Sequence, residues 1–114
     1  MSNQTVWLCE CRSQGQVTTY VYDNEESALA DGCTAAIEDM QEFASNCMSD
    51  IVGREKVRWD KQYNEVMEAD EREDHRECLR LHNKLMYYWA DPEDVFVVEV
   101  YARNVYSHQV IIRI

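Results

Sequence analysis

Apolar and polar residues alternate from Thr5 to Arg12, with Val6, Leu8 and Glu10 on one side and Trp7, Cys9 and Cys11 on the other. A period of two predicts a β-strand. Ser13-Gln14-Gly15-Gln16 reads as a turn, because Gly15 is free to take positive φ. Val17–Tyr22 is rich in β-branched and aromatic residues and predicts the returning strand of a hairpin.

The period then lengthens. Leu29, Cys33, Ala36, Ile37, Met40, Ala44 and Cys47 fall on one helical face, which predicts a helix ending near Met48. Asp23 and Glu26 have capping-box spacing at its start. Gly32 disfavours the helix by about 1 kcal/mol against Ala, so its place inside one points to close packing on a strand. A second helical pattern begins near Arg54 with Val57, Trp59, Tyr63, Val66 and Met67. It resumes after an acid-rich stretch with Cys78, Leu81, Leu85, Tyr88 and Trp89. A single helix of about 35 residues is uncommon in a small domain, which favours two helices with a polar corner near Asp70–Asp74.

Pro92 stops the helical pattern. Val95–Arg103 alternates cleanly as a strand, Asn104–Ser107 reads as a turn, and His108–Ile114 as a return strand. The order ββ-α-α(α)-ββ predicts a single α+β domain over residues 1–114. Its expected form is two layers, an antiparallel sheet of about four strands with the helices packed on one face.

Composition narrows the functional classes. The chain has 114 residues with Lys+Arg 11 and Asp+Glu 22, a formal net charge of -11. Such a balance opposes direct binding to nucleic acid or to an anionic membrane. No apolar run approaches the ~18 residues of a membrane-spanning helix. The start lacks the pattern of a secretory signal, and the five cysteines are odd in number. Both features predict reduced thiols and a cytoplasmic protein.

The distribution of charge says more than its sum. No Lys or Arg lies between Arg12 and Arg54. On the first helix Glu25, Asp31, Glu38, Asp39 and Glu42 must then point sideways or outward as a strip of like charge. Such neighbours repel by a few tenths of a kcal/mol each, a cost that mixing in lysines would remove. A solvated helix face accounts for the strip, and so does a negative surface steering toward a basic groove. Glu68, Asp70, Glu71 and Asp74 add a second acidic group, here interleaved with Arg72 and Arg76, and Glu68 and Arg72 stand at a favourable i,i+4 spacing.

His75, Cys78 and His82 share one helical face and are metal-ligand types, although three ligands from one straight helix rarely converge. No Gly-rich phosphate loop, nucleophile elbow or metalloprotease motif is present, and nearby acids oppose a reactive thiolate. The reading is a non-enzymatic protein with no cofactor.

The Tyr-rich hairpin, Asp23-Asn24-Glu25-Glu26-Ser27-Ala28 opening a helix, and a closing hairpin look like many short phage and mobile-element accessory proteins. Anti-CRISPR proteins and other phage-encoded host inhibitors are among them. The resemblance covers the whole chain loosely, in size, acidity and element order. It implies inhibition of a nucleic-acid-binding protein or complex by nucleic-acid mimicry, with carboxylates standing where phosphates would lie. The expected partner is a protein with a basic groove. A homo-oligomeric assembly protein is the other reading, a homodimer formed through an outer sheet face carrying Val97, Tyr101 and Ile111.

Overall fold

The computed structural model describes residues 3–106. Strand β1 (Asn3–Ser13) and strand β2 (Gln16–Tyr22) form the expected hairpin. Gln14 and Gly15 hold φ of 51° and 77°, the paired positive values of a two-residue turn whose twist matches the strands it joins. Helices α1 (Glu25–Cys47), α2 (Gly53–Glu71) and α3 (His75–Trp89) follow, and strand β3 (Phe96–Tyr106) closes the described chain. The sheet order is β2-β1-β3, antiparallel throughout. The architecture is α+β, with three strands among the described residues.

β3 corrects one expectation. Asn104 to Tyr106 continue the strand instead of turning, with Asn104 opposite Thr5 and Tyr106 opposite Asn3. β1 is long enough to offer these partners, and the Thr5 hydroxyl donates to Asn104 Oδ1 at 3.0 Å. The return strand expected at His108–Ile114 lies outside the described residues.

α1 is capped by Asn24, not by Asp23. Asn24 is extended, and its side chain accepts the Ser27 N–H at 2.8 Å. The helix buries Ala28, Leu29, Gly32, Cys33, Ala36, Met40 and Phe43. Cys47, expected in the stripe, is exposed at the last turn. Gly32 is where α1 comes closest to the sheet. A Cβ there would stand 3.1 Å from Val98 Cγ1 and 3.3 Å from Cys9 Sγ.

α2 and α3 are separate helices, joined by a corner at Arg72–Asp74. Glu73 takes φ 59°, and Asp74 caps α3 by accepting the Glu77 N–H. α2 buries Trp59, Val66 and Ala69; Val57, two positions before Trp59, is 70% exposed. In α3 Cys78, Leu79, His82, Leu85 and Met86 are buried, whereas Tyr88 is exposed. Phe43 of α1, Tyr63 of α2 and Trp89 of α3 gather round Trp59, with ring centroids 5.7–5.9 Å away.

The helices cover the sheet face bearing Cys9, Cys11, Val98 and Val100. Asn83 of α3 fastens this contact as a strand would, donating to the Val98 carbonyl at 2.8 Å and accepting the Val98 N–H at 3.1 Å. The opposite face is a polar lattice around Glu10, where Tyr101 donates to Glu10 at 2.9 Å and Arg12 pairs with Glu10 and Glu99. Leu8 and Val97 on that face are buried, whereas Val17, Val21 and Tyr101 on it are exposed, and Ile111 of the expected docking face lies outside the described residues.

Candidate functional site

The first acidic group divides on folding. Asp31, Glu38 and Glu42 stand at i, i+7 and i+11, within one narrow sector of α1, and all three are exposed. None has an ion pair among the described residues. Asp31 and Glu38 line a cleft of about 220 Å³ with Cys9, Cys11, Tyr20 and Tyr22. Burial and the adjoining Asp31 carboxylate push the Tyr22 phenol up to about 12. Glu25 is different, being half-buried and tied to Arg76 across α1 and α3. Asp39 turns its Oδ2 inward, 3.9 Å from Nε2 of the buried His82.

The second group divides likewise. Glu68 and Glu71 are exposed at the end of α2, Asp74 is occupied as the α3 cap, and Asp70 is half-buried against two thiols. The favourable Glu68–Arg72 pair expected from spacing is not formed. Arg72 is the C-cap of α2, where the helical repeat that sets the i,i+4 approach has ended. Lys56–Asp60 at 2.7 Å and Glu77–Arg80 are the ion pairs within single helices.

His75, Cys78 and His82 do not gather. His82 faces Asp39 and, edge-on at 6.2 Å, Phe96, while Cys78 turns to Cys33. The group that does gather among the described residues is Cys33, Asp70 and Cys78, one from each helix, with donor atoms all within 4.8 Å of one another. Cys33 Sγ also donates to the His75 carbonyl at 3.2 Å. The adjoining Cys78 thiol, with burial, raises the Cys33 thiol, and the Cys33 thiol in turn lowers Cys78. Burial with Cys11 alongside pushes Cys9 up to about 12.

A basic groove was not anticipated. Between α2 and α3 a groove of about 800 Å³ is lined by Arg54, Arg58, Lys61 and Lys84, one acid, Glu65, and the apolar Val57, Leu81, Leu85 and Tyr88. Arg58 lies over the Tyr88 ring, 5.7 Å from its centroid, and donates to its hydroxyl. None of these four cations is ion-paired among the described residues, whereas Arg12, Lys56, Arg76 and Arg80 are. The i, i+4, i+7 spacing of Arg54, Arg58 and Lys61 is the signal in the sequence that marks this face.

Among the described residues no helix is long and apolar enough to cross a membrane. No protein-family model matches the chain, and no curated protein or solved structure is significantly similar to it.

Proposed function

We propose that the protein is a non-enzymatic binding domain whose α1 surface engages a Lys/Arg-rich surface of another protein, and that it inhibits a nucleic-acid-binding protein by occupying the groove meant for phosphates. The observation that carries this reading is the exposed row Asp31, Glu38 and Glu42, unpaired among the described residues and set in a stretch without any cation. The row spans about 16 Å of helix, with successive charges about 10 Å and 6 Å apart along the axis. One strand of duplex DNA presents a phosphate about every 3.4 Å along the axis. The carboxylates thus suit a local basic patch better than a long duplex channel. Rigid placement on α1 makes up part of the difference, since an ordered helix loses little freedom on binding. Capture of a partner by the wild-type protein, and its loss with Glu38→Lys/Glu42→Lys while the fold is kept, tests the reading. Equal capture by both proteins removes α1 from it.

The basic groove favours a second reading, self-association. Its unpaired cations complement the α1 row of another copy, head to tail. Glu38→Lys/Glu42→Lys and Lys61→Glu/Lys84→Glu would each then be monomeric, and an equimolar mixture would form dimers. Light scattering that finds the wild type monomeric at low salt excludes it.

A further inference from the structure

We propose that Cys33, Asp70 and Cys78 form a site for one zinc-class divalent ion where α1 meets the end of α2 and the start of α3. This inference uses none of the α1 surface acids and stands apart from the proposed function.

The chemistry of the donors comes first. Two sulfurs and a carboxylate oxygen are ligands that a borderline-soft, tetrahedral ion accepts, and harder ions such as magnesium avoid thiolates. Tetrahedral bonds of about 2.3 Å to sulfur and 2.0–2.2 Å to oxygen put neighbouring donors about 3.5–3.8 Å apart. The donor atoms here lie within 4.8 Å of one another, so side-chain rotations that draw them in by about 1 Å suffice. The three residues come from three helices, which avoids the difficulty of His75, Cys78 and His82 on a single one.

Electrostatics supply the second observation. Asp70 has neither an ion pair nor a side-chain hydrogen bond among the described residues, although it is half-buried. It sits in the last turn of α2, at the negative end of the helix dipole, and that turn has no basic residue. A carboxylate placed there and turned to two buried thiols lacks a counter-charge, which a cation provides. Binding displaces the two thiol protons to solvent as two sulfur–metal bonds form, with no change of oxidation state. Cys33 and Cys78 are sealed in the core, and the half-exposed Asp70 marks the entry and leaves the fourth position to water.

Cobalt(II) added to the reduced full chain tests the site optically. The expected result is one equivalent bound, with thiolate-to-cobalt charge-transfer absorption and the visible bands of a tetrahedral ion. Displacement by zinc should abolish the colour and raise Tm. Asp70→Asn, at a half-exposed position, should weaken cobalt by at least the ~10–100-fold seen when supporting ligand contacts are lost. Cys33→Ser and Cys78→Ser should each lose the charge-transfer band, while Cys11→Ser keeps it. If the buried variants fail to fold, the wild-type spectrum and Asp70→Asn still decide. Absence of tetrahedral bands from folded wild-type protein, an unchanged affinity in Asp70→Asn, or a Cys33–Cys78 disulfide in protein purified under reducing conditions overturns the proposal.

Discussion

Asp39 Oδ2 and His82 Nε2 face each other at 3.9 Å across the α1–α3 interface, and neither atom has a hydrogen-bond partner among the described residues. The distance is too long for a hydrogen bond. Asn83 Oδ1 lies 3.0 Å from His82 Nδ1 and also accepts the Val98 N–H, which assigns the ring proton to Nδ1. In the neutral ring Nε2 presents a lone pair to a carboxylate. Asp39→Asn replaces one of these acceptors with a donor and should stabilise the fold by about 1 kcal/mol, the net worth of one hydrogen bond. Urea unfolding at neutral pH measures it. A loss of similar size would mean that His82 is held as an imidazolium by Asp39.

The α2–α3 corner stores strain at Glu73, whose φ of 59° lies in the left-handed region. A side chain there costs about 1–2 kcal/mol, part of which glycine returns through the freedom it gains in the unfolded chain. Glu73→Gly should therefore raise stability by about 0.5 kcal/mol, a Tm increase of roughly 2–4 °C for a chain of this size. A lower Tm would show that the Glu73 side chain contributes more than its backbone costs.

Thiol reactivity should separate the five cysteines. Cys47 is exposed, Cys9, Cys33 and Cys78 are buried, and burial raises the half-buried Cys11. A disulfide reagent at neutral pH should label one thiol per chain rapidly, with the rest following only on denaturation. Cys47→Ser should abolish the rapid phase. Two or more rapid thiols would contradict the described packing.

Stability should fall at alkaline pH. In the unfolded chain Cys9 and Tyr22 lose their protons at ordinary values of 9.0 and 10.0, but the fold holds both to about 12. Their contribution is complete below about pH 9 and declines as pH rises toward 12, because the unfolded state then binds fewer protons than the folded one. Melting curves from pH 7 to 11 should show Tm dropping above pH 9, and Tyr22→Phe should soften the drop. A flat profile to pH 11 would refute the assignment.

Local signals made much of the fold legible in the sequence. The Gln14-Gly15 turn, the α1 stripe, the break after Glu71 and the β3 alternation each reside in a few adjacent residues. Elsewhere distant contacts decide. β3 runs past Asn104 because β1 reaches back to Asn3, which no property of residues 104–106 foretells. Val57 fits the apolar pattern of α2, yet Trp59 takes the buried side through the aromatic cluster with Phe43 and Trp89. Asp70 and Asp39 read as surface acids by spacing, and only the approach of α3 turns one to thiols and the other to His82. Spacing alone does identify Asp31, Glu38 and Glu42 as one row. It also placed Glu25 and Asp74 among the free acids, where an ion pair and a cap now occupy them.

The central claim concerns what the α1 row binds. The most direct measurement is affinity capture from a bacterial lysate with wild-type protein and with Glu38→Lys/Glu42→Lys, washed at low and high salt and challenged with DNA. The account predicts a nucleic-acid-binding protein retained by the wild type, released by salt or by DNA, and absent from the charge-reversed variant. Recovery of the same proteins by both baits, or of the bait alone as a salt-resistant oligomer, would contradict it.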